Sequence, residues 1–216
     1  MFRDKSVLPL FPCNVWVHEV EEEIQAAMNP KLLARIDDLL TPRPEIQPGF
    51  TWQTRNDLQE DPVFADLMGL FRHAFQGVLE YMQIEPMPFE ITGAWANVNP
   101  DGSPHSPHVH PNNYLSGVYF LRTAEGSDSI TFHDPRSLGA IILPKFRKIT
   151  QQNTDAINVD AKTGRLAIFP AWLKHSVPHN QSGAERITIA ANMMFSDFTR
   201  SLSRPQWAGV GKDTDR

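Results

Sequence analysis

Up to Pro86 the apolar residues of this chain recur at helical spacing, and beyond it they fall into short runs with strand-like alternation. That order, helices first and then many short strands, points to an α+β chain rather than to alternating βαβ units. A helix is expected over Glu21–Leu40, where Ile24, Ala27, Met28, Leu32, Ile36 and Leu39 form one stripe and Thr41-Pro42-Arg43-Pro44 ends it. A second is expected after Asp61-Pro62, with Asp as cap and Pro in the first turn, running to about Gln83 through Phe64, Leu67, Met68, Phe71, Phe75, Val78 and Leu79. An opening strand is expected within Val7–Val20.

The strand-like runs are Phe89–Asn99, Tyr114–Leu121, Ser129–His133, Ala140–Leu143, Ile157–Val159, Leu166–Phe169 and Arg186–Phe195. Turn residues separate them, among them Asn99-Pro100-Asp101-Gly102 and Lys162-Thr163-Gly164. The expected architecture is an antiparallel β-sandwich or jelly roll braced by N-terminal helices. One domain suffices: residues 1–85 supply a strand and supporting helices, 86–200 the β core, and 201–216 a polar tail that Trp207 would anchor.

The 216 residues carry a net charge of −5, which leaves no basic footprint and makes nucleic acid an unlikely partner. Cys13 is the only cysteine, so an intramolecular disulfide and thiolate zinc sites are excluded. With no signal-peptide core and no run of membrane-spanning length, a soluble cytoplasmic protein is expected, away from the membrane. The Val7–Val20 edge strand would suit a homodimer.

Six of the eight histidines fall in the β-rich half. His108 and His110 sit at i and i+2 just ahead of an apolar strand, and on an extended segment both rings point to one face. A third ligand must come from a distant segment, and His175, following Ile168-Phe169-Pro170-Ala171-Trp172, is the best placed. Three protein ligands leave coordination positions open, as catalysis requires. Arg186 opens the alternating strand Arg-Ile-Thr-Ile-Ala; facing the core, its charge must be paired or hydrogen-bonded, whereas on an edge strand it would be exposed. With Thr188 on the same face it is suited to gripping a carboxylate.

His108-Val-His-Pro-Asn-Asn-Tyr-Leu-Ser-Gly-Val-Tyr-Phe, Asp134-Pro-Arg, Phe169-Pro-Ala-Trp-Leu-Lys-His-Ser-Val-Pro-His-Asn and Arg186-Ile-Thr-Ile-Ala-Ala-Asn follow one another over about residues 90–195. This set resembles the 2-oxoglutarate- and Fe(II)-dependent dioxygenases, and within them an oxygenase family with HxHPNxxLSGVYY, DPR, FPxWLxHxVxxN and RxSxxxN elements. The resemblance implies a double-stranded β-helix with Fe(II) in its mouth. It makes His108, His110 and His175 the metal ligands, and Arg186 with Thr188 the grip on the 2-oxoglutarate carboxylate. Dioxygen would be the second co-substrate and hydroxylation of an unidentified substrate the outcome. The commoner superfamily pattern has Asp or Glu where this chain has His110, so the site carries one less negative charge. That also favours nickel, zinc or copper in place of iron.

Three further positions are candidates for a site role. Asn97 and Tyr119, on strands flanking the ligands, would hydrogen-bond the co-substrate or a metal ligand, and Arg136 would bind a substrate anion unless Asp134 clasps it. His105, like His179, is expected to be solvent-exposed, and Trp95 and Trp172 to pack the barrel. The competing functions are a cupin-like three-histidine dioxygenase without 2-oxoglutarate, a non-catalytic β-sandwich binding module, and a zinc hydrolase, which would want a carboxylate base beside the metal.

Overall fold

The computed structural model describes residues 2–136 and 144–201. Helix α1 spans Glu22–Leu40 and α2 spans Ala65–Tyr81, the latter entered through a 3-10 turn at Pro62–Phe64. The Asp61 side chain accepts a hydrogen bond from the Val63 backbone N–H, capping that turn as the Asp-Pro pair foretold. Helix α1 ends at Leu40, and Thr41, preceding Pro42, is extended. Pro30 lies inside α1, where a missing N–H costs a helix about 3 kcal/mol. Burial of Met28, Leu32 and Ile36, each contributing roughly 1.5–3 kcal/mol, outweighs that cost.

Ten strands follow the chain: β1 (Trp16–Glu19), β2 (Trp52–Gln53), β3 (Phe89–Asn99), β4 (His105–His108), β5 (Leu115–Arg122), β6 (Ser129–His133), β7 (Ala156–Asp160), β8 (Arg165–Pro170), β9 (His175–Val177) and β10 (Arg186–Phe195). A short helix, α3 (Ser196–Ser201), closes the described chain. The opening strand is four residues long, far shorter than Val7–Val20, because only Trp16–Glu19 finds a partner, in β8. The expected strand Ala140–Leu143 and the tail with Trp207 lie outside the described residues.

The strands form two sheets, β1-β8-β5-β10-β3-β2 and β4-β9-β6-β7. The antiparallel pairs nest: β3 with β10, β4 with β9, β5 with β8, β6 with β7. A hairpin-like chain rolled up on itself in this way is a jelly roll, here the double-stranded β-helix, with β1 and β2 extending the larger sheet. Of the two architectures open to the sequence, the structure takes this one.

Alternation along the larger sheet decides what faces where. Ile187, Ile189, Ala191 and Met193 of β10, with Ala94, Ala96 and Val98 of β3 and Leu115, Tyr119 and Leu121 of β5, join the buried faces of α1 and α2 in one core. Val118, Phe120, Ala167 and Phe169 point the other way, into the roll, and pack with Ile130, Phe132, Ala161 and Leu173. The helices therefore seal one side of the sheet, and the inner side is left for the site.

Gly117 lies where α2 meets the sheet. A Cβ there would stand 2.6 Å from Ile168 Cδ1 and 2.8 Å from Phe71 Cε1. Overpacking of this kind costs about 1–3 kcal/mol. Gly117→Ala is accordingly expected to lower the urea midpoint by that amount without changing the transition's slope; an unchanged midpoint would mean the Phe71 ring yields freely.

Candidate metal centre

The three expected ligands converge. One ring nitrogen each of His108, His110 and His175 lies within 4.8 Å of the others, and among the described residues no other such cluster of His, Cys, Asp or Glu occurs. They come from three places in the fold. His108 ends β4 and pairs in register with His175, the first residue of β9, while His110 stands two residues beyond β4. The backbone N–H of His110 donates to Ala171 O at 2.9 Å, which ties the His110 segment to the turn preceding His175. The pairing of β4 with β9, rather than one continuous strand, thus brings the rings together.

Each ring is oriented from behind. His108 Nδ1 lies 2.8 Å from Ser106 O and His175 Nδ1 lies 2.9 Å from Leu173 O, so both rings donate to a carbonyl there and turn Nε2 inward. His110 Nε2 and His175 Nε2 are 3.3 Å apart. Burial, then repulsion from the other rings, pushes His110 down to about 3 and His175 down to about 4, and burial also lowers His108. At neutral pH all three are uncharged, the form that offers a lone pair to a metal.

Sixteen residues line a cavity of about 230 Å³ that includes the three ligands, and none of them is Asp or Glu. Its wall also takes in β10 and β3, whose register pairs Arg186 with Asn99 and Thr188 with Asn97. Arg186 is only 2% exposed; its Nη1 donates to Ser129 O at 2.9 Å, its guanidinium lies over Phe120, and its Nε finds no partner. No carboxylate of the described residues forms an ion pair with it. Burial lowers its pKa to about 10, so it stays charged at neutral pH. Asn97 is likewise buried, with Oδ1 unpartnered.

Arg186, Thr188 and Asn97 therefore reach the site, and two other expected residues do not. Tyr119 faces the helices, where its hydroxyl donates to Asn29 Oδ1 at 2.8 Å; it pairs with Ile189, one step out of phase with Thr188. Arg136 is clasped by Asp134 through hydrogen bonds of 2.6–3.0 Å and is absent from the cavity wall. Trp172 is 57% exposed instead of packing the barrel, whereas Trp95 lines the cavity 5.6 Å from the His110 ring. His105 was expected in solvent; it lines the cavity and stacks on His108 at 4.5 Å. Its place three residues before His108 carried no signal, because β4 is too short and polar, with Pro107 inside it, to read as a strand.

A double-stranded β-helix thus lines one inner cavity with three imidazoles and a buried arginine that has no ion-pair partner among the described residues. Residues 93–192 match the model of the family described as "Putative 2OG-Fe(II) oxygenase". No curated protein sequence matches the chain. Among solved structures it is similar to SnoN, the non-heme α-ketoglutarate-dependent epimerase of nogalamycin biosynthesis, at 17% identity over 83% of this chain and 78% of that one, with a TM-score of 0.59. It is similar to HygX from Streptomyces hygroscopicus, solved with nickel and 2-oxoglutarate, at 14% identity over 85% and 83%, TM-score 0.58. The viral collagen prolyl hydroxylase vCPH from Paramecium Bursaria Chlorella virus-1 matches at 13% over 83% and 94%, TM-score 0.54. At these identities the likeness is one of fold.

His110→Asp is expected to keep metal binding, since it restores the commoner carboxylate at the same place, while His175→Ala is expected to lose it. Anaerobic calorimetric titration with Fe(II) checks both, and loss of all metal by His110→Asp would remove His110 from the ligand set. Tyr119→Phe is expected to cost about 1–2 kcal/mol of stability through the stranded Asn29 acceptor and to leave 2-oxoglutarate affinity unchanged.

Proposed function

We propose that the chain couples the oxidation of 2-oxoglutarate to hydroxylation of a second, unidentified substrate, with Fe(II) held by His108, His110 and His175. The observation that carries this reading is Arg186: a buried cation with a free donor in a cavity that contains no carboxylate. Leaving such a charge without a counter-ion costs several kcal/mol, and an anionic ligand removes that cost. A guanidinium with an adjacent hydroxyl, Thr188 on the same wall, suits the far carboxylate of a keto diacid. The family-model match over residues 93–192 and the 2-oxoglutarate bound by the fold relative HygX support the same ligand.

The donor set fits a divalent transition metal: three neutral imidazoles with ring nitrogens within 4.8 Å of one another, those of His108 and His175 turned to present Nε2. When bound, Fe(II) and 2-oxoglutarate supply the oxidising chemistry, in which dioxygen and the keto acid become succinate and carbon dioxide as one C–H bond becomes C–OH. The chain's own residues do the rest. His108, His110 and His175 would hold the metal, and three protein ligands would leave positions for the co-substrate and dioxygen. Arg186 and Thr188 fix the far end of the co-substrate, which orients its keto acid end toward the histidines. Asn97, with an unpartnered oxygen facing the cavity, adds a hydrogen-bonding position beside it. The inner core of Phe120, Phe132, Phe169 and Leu173 excludes water behind the site. With neutral His110 in place of a carboxylate, the charge of the co-substrate compensates more of the metal's charge than in the commoner arrangement.

The zinc-hydrolase reading lacks its base, since no acidic residue lines the cavity. The three-histidine dioxygenase without 2-oxoglutarate shares the ligands but gives Arg186 no task. Arg186→Ala is expected to abolish 2-oxoglutarate binding, by at least about 100-fold for loss of a buried charged hydrogen-bonding partner, with metal still bound. Anaerobic titration of the Fe(II) protein decides it; unchanged affinity would overturn the assignment, as would oxygen consumption by the parent protein that yields no succinate from 2-oxoglutarate.

A further inference from the structure

An imidazole offers a metal the lone pair of Nε2 only when its proton sits on Nδ1, and that proton then needs an acceptor. His108 and His175 have backbone carbonyls in that place. His110 has none: the carboxamide of Asn192 lies behind it, with Nδ2 as placed 3.5 Å from His110 Nδ1 and Oδ1 accepting from Ser116 Oγ–H at 2.7 Å. Both are buried, Ser116 at 1% and Asn192 at 8% exposure. They are direct partners across the β5–β10 ladder, so the backbone register holds the pair together.

Asn192 also sits at the one irregularity of the β10–β3 pairing. Asn192 pairs with Gly93 and Met193 with Ile91, so Thr92 is left over as a bulge. The bulge belongs to β3, and β10 runs past it with its alternation intact, so Asn192 keeps the same face as Arg186, Thr188 and Ala190.

The carboxamide can stand in two orientations related by a half-turn, nearly identical in shape. With nitrogen toward His110, the ring must accept at Nδ1 and keep its proton on Nε2, between His110 and His175, where no lone pair remains for a metal. With oxygen toward His110, Nδ1–H donates to Asn192 Oδ1, Asn192 Nδ2–H donates to Ser116 Oγ, and Nε2 is free. Resting on the metal centre described above, we propose that Asn192, steadied by Ser116, is the positioning residue that holds His110 in its metal-binding tautomer, supplying the acceptor that the backbone supplies to the other two ligands. A carboxylate ligand at position 110 would need no tautomer to be chosen; a histidine there does.

The test uses Co(II) alone, titrated into the metal-free full chain and read by visible absorption, with Asn192→Leu and Asn192→Asp beside the parent. Asn192→Leu, which removes the acceptor, is expected to weaken Co(II) about 10–100-fold while circular dichroism shows the fold intact. Asn192→Asp can only accept from Nδ1–H and is expected to bind Co(II) at least as tightly as the parent. In the metal-free parent, histidine nitrogen shifts are expected to show His110 protonated at Nδ1, and in metal-free Asn192→Leu they are expected to shift toward the Nε2-protonated form, a readout that a merely packing role would not move. Parent-like Co(II) affinity in Asn192→Leu would overturn the proposal, and so would a tenfold loss in Asn192→Asp, which decides the matter should the leucine variant not fold. A parent that takes up no Co(II) would instead overturn the metal centre itself.

Discussion

The phase of β10 sets the rest of the structure. Its ten residues alternate between the helix-covered face and the inner cavity, so Ile187, Ile189, Ala191 and Met193 build the core while Arg186, Thr188 and Ala190 line the site. A slip of one residue would bury the guanidinium against α1 and α2 and turn four apolar side chains into the cavity. The apolar core under the helices therefore fixes the register, and the register delivers the arginine. Stability and site are specified by the same strand through opposite faces.

The inner cavity is electrostatically incomplete in a definite sense. Its wall holds neutral imidazoles and a buried cation, and no acidic residue among those described. In ordinary structural use a buried arginine is paired, and its partner removes most of the desolvation penalty. Here the missing charge is supplied by what binds. The same logic reaches the ligands: a carboxylate at position 110 would satisfy a metal directly, whereas His110 must have its second nitrogen satisfied, and Asn192 stands behind it.

The helices, seven of the strands' approximate positions and the ligand set were legible along the chain, because each has a local cause. Helical stripes, Pro stops and the Asp61-Pro62 start act within a few residues. His108 and His110 were marked by spacing, and Arg186 by being a charge at the head of an apolar strand. What misled was phase and brevity. Strand β5 is apolar on both faces, so nothing local told Tyr119 from Phe120, and only pairing with Ile189 placed the tyrosine under the helices. Strands β4 and β9 have four and three residues, too few for any period, so His105 went unnoticed although it stacks on a ligand. Arg136 was engaged by its own neighbour two residues away, as short Asp-x-Arg segments allow.

By itself the sequence determined which chemistry was available: three imidazoles without thiolates, one arginine placed in an apolar strand, and enough alternation after Pro86 to require a β roll. Local preference and side-chain identity are properties of the chain, and they survive without the fold. Tertiary structure alone decided convergence. The pairing of β4 with β9 brought His108 beside His175, the sheet phase sorted Asn97 from Tyr119, and the phase of β10 set Asn192 behind His110. Those outcomes depend on contacts between residues tens of positions apart, whose registers are fixed by burying one face of each strand, and no short-range pattern carries that information.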